Sequence, residues 1–276
     1  MRQHQNSGMR RFVLPVASVG LVLGSQSACT AEGVTCQTAH GDFAVQLTLT
    51  TGAGECAEQI GGWYGVQTYS RPRADGRPDF SNSFMAIKSE DLGILVDDYE
   101  AELGEALDPT NQPYSVGDFK ETRPSQDLCE VPALTGAKKV FPPLPAIPAT
   151  LDDAGTEEDE ADPGRPDVPS FTVEYGWSNM KFIVSPAVLG TVFTADFTYK
   201  RDACTATYQA VGLYPAVFCG DDDGNPDDNL CAPEANAALG IPLGSGINPD
   251  FKSLIKCHPD LLLCMFEDGK LPNALK

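Results

Sequence analysis

FTVEYGWSNMKFIVSPAVLGTVFTADFTYKRDACTATYQAVGLY, residues 171 to 214, decides the fold class. Phe171, Val173, Tyr175 and Trp177 take every second position, Ser178-Asn179 reads as a turn, and Met180 to Val184 returns as a further apolar strand. Leu189, Thr191, Phe193, Ala195, Phe197 and Tyr199 then line one face of a long strand, and Thr205 to Tyr214 makes another. Period two sends side chains alternately to the two faces of a sheet, and aromatic and β-branched residues suit that half-buried surface. Four strands at such short spacing predict an antiparallel meander. Its aromatics are expected to pack as core rather than to line a lipocalin-like cavity.

Working back from this meander, Asp42 to Thr50 alternates with Phe43, Val45, Leu47 and Leu49 on one face. Ile60 to Tyr69, Asn82 to Lys88 and Tyr114 to Lys120 supply three further strands, which makes about eight in all. Between them the period changes: Leu92, Leu95, Val96, Tyr99 and Leu103 recur at helical spacing, with Ser89 as N-cap and Glu90 and Asp91 in the first turn. The prediction is a mainly β protein, an antiparallel sandwich or barrel with one amphipathic helix covering the sheet. Ser70 to Ser81, with Arg71-Pro72-Arg73, reads as an exposed loop rather than a basic binding patch.

Pro142, Pro143, Pro145 and Pro148 precede an acidic run from Asp152 to Asp162, too poor in apolar residues to offset its ordering entropy. Pro142 to Pro169 is therefore expected to be a linker or long loop. Beyond the meander, Pro233 to Leu239 suggests a helical turn and Leu261 to Phe266 a last short strand. The expected layout is a leader over 1–28, a tether over 29–41 and a β-rich half with the helix over 42–140. The linker over 141–170, the meander over 171–218 and a cysteine-rich irregular tail over 219–276 follow.

The leader is basic at Arg2, Arg10 and Arg11 and apolar from Phe12 to Gly24, a run too short to span a bilayer. Gly24, Ser25, Gln26, Ser27 and Ala28 then lead into Cys29. The net charge of −20 argues against nucleic acid as a partner, since phosphate binding needs clustered Lys and Arg. Of nine cysteines, Cys36, Cys56, Cys129, Cys204, Cys219, Cys231, Cys257 and Cys264 remain once Cys29 is set aside. An even number suits disulfides in an exported chain, and the short loops favour pairing Cys219 with Cys231 and Cys257 with Cys264.

Small residues directly before Cys29 resemble a bacterial lipobox, although Gln26 stands where an aliphatic residue is usual. In layout the chain resembles the cysteine-rich lipoproteins of bacterial envelopes. That resemblance implies cleavage before Cys29, lipidation of its thiol and amine, and a place on the outer membrane or cell surface. Two or more acyl chains anchor a protein stably where one does not.

Between Cys219 and Cys231 lies the densest chemistry, Asp221, Asp222, Asp223, Gly224, Asn225, Pro226, Asp227, Asp228 and Asn229. It resembles the aspartate-rich loops of type-three thrombospondin repeats and EF-hand-like modules, which would make calcium a ligand of Asp221, Asp223, Asn225 and Asp227. Against this, Cys219 and Leu230 occupy the positions where an EF-hand has its first Asp and its bidentate Glu, so a solvated turn is preferred. No nucleophile elbow, zinc-protease helix or nucleotide loop is present, and Gly244-Ser245-Gly246 lacks the elbow spacing. His40 and His258 are the histidines outside the leader, and both are expected at the surface. The expectation is a non-enzymatic, membrane-anchored envelope protein with an unspecified binding or structural role. A calcium-assisted adhesion or carbohydrate-binding module and a secreted hydrolase are the alternatives.

Overall fold

Residues 34–148, 164–185 and 187–271 are described by a computed structural model. The strands are β1 (Gly41–Thr51), β2 (Gly61–Pro72), β3 (Pro78–Ser89), β4 (Ser115–Asp118), β5 (Leu128–Ala133), β6 (Ala137–Phe141), β7 (Phe171–Val184), β8 (Leu189–Arg201) and β9 (Cys204–Leu213). They form one antiparallel sheet in the order β4-β3-β2-β1-β9-β8-β7-β5, with β6 also on β7. Because β5 pairs with the second half of β7 and β6 with the first, the two share a single edge.

The sheet curls until its outer strands meet. The Lys120 N–H donates to Glu130 O at 2.9 Å and the Thr135 N–H to Val116 O at 2.8 Å, joining β4 and its extension to β5 as a closed barrel. Gly117 permits this seam: a Cβ there would lie 2.6 Å from Val131 Cγ1 and 2.7 Å from Ala133 O. Closure removes the exposed edges that would otherwise template aggregation.

Alternation fills the barrel. Phe43, Val45 and Leu47 of β1, Tyr64 and Val66 of β2, Met85 and Ile87 of β3, and Phe193, Ala195, Phe197 and Tyr199 of β8 are buried in one cluster. Across the β8–β9 ladder large residues face small ones, Phe193 opposite Gly212 and Tyr199 opposite Ala206. A side chain at Gly212 would collide with the Phe193 ring. Ring centroids lie 4.5 Å apart for Trp177 and Phe197 and 5.3 Å apart for Phe43 and Phe193, so these interlocking aromatics occupy the space where a lipocalin would hold a ligand.

Two expectations about the meander change. Ser178-Asn179 is no turn: Ser178 pairs with Asp196 and Lys181 with Thr194, leaving one extra residue in a continuous β7. This bulge, with Asn179 at φ 51°, switches the buried set from Val173, Tyr175 and Trp177 to Met180, Phe182 and Val184. The four expected strands are therefore three, and Leu189 is exposed rather than on the inner face. β5 and β6 come from a stretch that carries no strand signal of its own. The supposed loop over 70–81 is largely strand, its tip narrowed to residues 73–77.

Helix α1 (Glu90–Leu103) starts where expected, with the Leu92 N–H donating to Ser89 Oγ at 3.4 Å, and stops at left-handed Gly104. Leu92, Val96 and Tyr99 are buried, and the Tyr99 ring meets Phe141 and Phe171 at 4.8 and 5.7 Å. The helix thus lies over the barrel end where β3 finishes and β7 begins. In the proline-rich segment Leu144 exchanges two backbone hydrogen bonds with Val168, and Ile147 two with Arg165, whose guanidinium pairs with Glu102 of α1. The acidic run itself lies within 149–163, outside the described residues.

After β9 the chain folds back over the outer barrel face. Ile183, Val192, Val211 and Leu213, on the side opposite the interior, are buried against Ile247, Phe251, Ile255 and Phe266 of the tail. Ala44 is covered by Leu263 and Met265. The tail's regular structure is a hairpin of β10 (Ile255–Cys257) and β11 (Cys264–Phe266) among single turns of 3₁₀-helix.

Candidate functional site

Four disulfides, Cys36–Cys129, Cys56–Cys204, Cys219–Cys257 and Cys231–Cys264, use all eight cysteines after Cys29. The two barrel bridges fasten 3₁₀ turns to the sheet, and the Tyr208 hydroxyl donates to the Cys56 carbonyl to support one of them. In the tail, the pairing expected from short loops is corrected. Cys257 and Cys264 stand directly opposite each other in the β10–β11 ladder. Each instead bonds across to the facing loop, which clamps loop and hairpin together. The sulfurs of Cys219, Cys231 and Cys264 lie within 4.8 Å of one another as members of these two bridges.

The acidic loop lies on top of this clamp. Asp221 Oδ1 accepts from the Asp223 N–H at 3.0 Å and the Asn225 N–H at 2.7 Å, and these bonds, with Asn225 foremost, hold its carboxyl below the usual carboxylate range. Gly224, at φ 78°, makes the turn that allows them. Asp227 Oδ1 accepts from the N–H and the side-chain amide of Asn229 at 2.9 and 2.7 Å, capping the 3₁₀ turn that carries Cys231. Of the four residues named as calcium ligands, Asp221 and Asn225 thus engage each other, and the Asp227 carboxylate caps a separate turn. Sequence reasoning passed over Asp228, which joins the loop to the hairpin. Its Oδ1 accepts from the Cys257 N–H at 2.9 Å and its Oδ2 pairs with Lys256 Nζ at 3.0 Å. The backbone donor first, and then Lys256, lower its pKa.

The remaining candidates serve the fold. His258 Nδ1 accepts from the Asp260 and Leu261 N–H groups at 3.3 Å each, closing the β10–β11 turn. His40 is exposed just before β1. Ser245 donates its hydroxyl to Cys231 O at 3.1 Å, so the Gly-Ser-Gly stretch fastens the clamp. Cys29 lies outside the described residues.

One surface groove was not legible beforehand. It runs between the first turn of α1 and the outer face of β2, has a volume of about 620 Å³, and is lined by Asp42, Trp63, Lys88, Glu90, Ile94 and Asp97. Those residues come from four separate elements, and no motif groups them in the chain. Beneath it lie the buried side chains of Tyr64 and Tyr175 beside Ser89. Burial raises the Tyr64 hydroxyl well above its ordinary range. The Asp91 carboxyl lies close over the Gly62 backbone, and desolvation there raises its pKa even though the residue keeps an exposed face.

A family model described as MlpA matches residues 41–215, well over half of the chain. The chain belongs to the MlpA family. The MlpA segment opens on the first residue of β1 and ends just past β9, so it coincides with the barrel and its helix. A curated relative, "Putative lipoprotein MlpA" of Myxococcus xanthus, is 27% identical over 88 residues, which cover 32% of this chain and 32% of the relative. The chain thus spans about a third of the length of the curated relative it matches. No solved structure matches this chain.

Proposed function

We propose that this chain is an envelope lipoprotein, held on the outer membrane or cell surface through Cys29 and acting without catalysis by presenting a binding or structural surface. Cysteine pairing carries the reading. Every cysteine from Cys36 to Cys264 is taken by another, and the one left over is the one that follows the small residues of the lipobox. The printed name of the Myxococcus xanthus relative agrees with it. A barrel filled with rings leaves its outer surface, rather than an internal cavity, to meet partners. Mass spectrometry of the exported protein's N-terminal peptide tests the anchor. Diacylglycerol and an acyl chain on Cys29 are expected, and an unmodified peptide containing Cys29 overturns the proposal.

Within this reading the acidic loop is a joint between β9 and the terminal hairpin. Calcium held by Asp221, Asp223, Asn225 and Asp227 is the competing use of the same residues. Calorimetric titration separates the two: no heat and no shift in thermal midpoint at millimolar calcium is the result expected of a joint, whereas both would establish a calcium site.

A further inference from the structure

The groove between β2 and α1 begins as a gap in one row of the sheet. Asp42 of β1, Gly65 of β2 and Lys88 of β3 stand opposite one another across the three strands. Their neighbours Phe43, Tyr64, Val66, Ile87 and Ser89 are buried, so by alternation this row lies on the outer face. The glycine between the acid and the ammonium contributes no side chain, and the row is open at its centre. Trp63, two residues before Gly65 on the same face, walls one side, its indole braced by Ala44, Leu263 and Met265. The other wall is α1, where Ile94 is 51% exposed and Glu90 and Asp97 add two carboxylates.

Three carboxylates and one ammonium leave this groove with a net charge of −2. Among the described residues none of Asp42, Glu90, Asp97 and Lys88 has an ion-pair partner. Elsewhere on the surface Lys120, Lys138, Lys200 and Lys256 are each held by an acid, so the groove concentrates charge that the fold itself does not use. Its volume of about 620 Å³ falls within the ~300–1,000 Å³ of sites that take small molecules.

We propose that the groove binds a small aliphatic polyamine, with its ammonium groups at Asp42, Glu90 and Asp97 and its methylene chain along Trp63 and Ile94. An anion would add to the charge of the groove, a neutral ligand would leave it uncompensated, and a metal ion would leave the apolar walls unused. Ammonium groups separated by methylene runs meet both features at once. Carboxylates accept strong charge-assisted hydrogen bonds from ammonium N–H groups, and an ammonium within about 6 Å of an indole face gains a cation–π attraction. The net charge of −20 draws such cations toward the whole chain. This site gives a ligand class to the binding role proposed above and rests on that role, while the lipid on Cys29 is not needed for it.

The exported protein, in non-ionic detergent, is titrated with spermidine and followed by calorimetry and tryptophan emission. One saturable site is expected, with a change in emission that Trp63→Phe removes, because Trp177 is only 4% exposed inside the barrel. D42N/D97N should weaken binding about two- to fivefold for each carboxylate. Gly65→Leu keeps every charge and fills the gap. Gly65 lies outside the left-handed region and a Cβ there would sit 3.6 Å from Asp42 Oδ1, an ordinary contact, so the barrel should fold and the site should be lost. The proposal is overturned if spermidine gives no saturable heat or leaves Trp63 silent, or if Gly65→Leu binds like the parent, which leaves only unspecific attraction to an acidic chain. Unchanged affinity in D42N/D97N overturns it equally, should Gly65→Leu not fold. Trilysine binding where spermidine does not would make the partner a basic peptide and overturn it as well. A lipidated Cys29 without spermidine binding defeats the groove and not the anchor. Saturable binding by a chain with an unmodified Cys29 defeats the anchor and not the groove.

Discussion

In the barrel, strands of up to 14 residues pair along their length and bury a continuous set of aromatic rings. In the tail, the strands are three residues long, and two interlocked disulfides span 38 and 33 residues. Both regions are buried, but they carry the entropy of folding differently. The barrel offsets it with apolar area and a closed ladder, whereas the tail restricts its unfolded state with cross-links. The contrast also falls at the limit of the family match, which takes in the barrel and stops at residue 215. The tail lies beyond that match, and its apolar side chains cover Val192, Val211 and Leu213 on the outer face of the barrel.

The largest single-residue effect is expected inside the barrel. Phe197 touches Tyr64, Tyr175, Trp177 and Tyr208, and Phe197→Ala should cost about 3–5 kcal/mol in denaturant unfolding. Phe251→Ala, in the tail, should lower the global midpoint less, because its ring meets Phe266 between two bridges that remain. Equal losses would erase the distinction. A smaller effect is expected at the start of α1: Ser89→Ala removes the N-cap, so the loss should be about 1 kcal/mol in the same unfolding measurement.

The smallest effect is the pH response of the joint. Asp228 has its pKa lowered in the folded state, so its contribution is present above the ordinary carboxylate value of about 4 and is lost as pH falls through the folded value. Asp228→Asn should flatten the acid dependence of tail protection and leave that of the barrel unchanged. Hydrogen exchange followed between about pH 2 and 6, roughly two units to either side of the ordinary value, reads this out.

The same contrast explains what the sequence made legible. Alternation from Phe193 to Tyr199 and the Ser89 cap announced β8 and α1 because each signal is local and the burial it implies is real. Ser178-Asn179 misled because the residues that favour turns also tolerate the positive φ of a bulge, and only the partner strand distinguishes them. β5 contains Pro132 and gains its place from β7 on one side and the barrel seam on the other. In the tail, loop length ranked the disulfides by closure entropy, whereas the fold carries Cys257 to Cys219 and Cys264 to Cys231, partners far apart in the chain. The loop carboxylates were visible, but their hydrogen-bond partners depended on the clamp. The Trp63 groove draws on four elements and had no local signal at all.

The most direct test is hydrogen exchange, read by mass spectrometry, on the variant that lacks both tail bridges, with Cys219, Cys231, Cys257 and Cys264 each changed to Ala. Each bridge restricts the unfolded chain by an amount worth up to about 4 kcal/mol for loops of this length. Residues 214–271 should lose protection while 41–213 keep theirs. Loss of protection across β1, β8 and β9 to the same extent as in the tail would contradict the account, since barrel and tail would then stand or fall as one cross-linked unit.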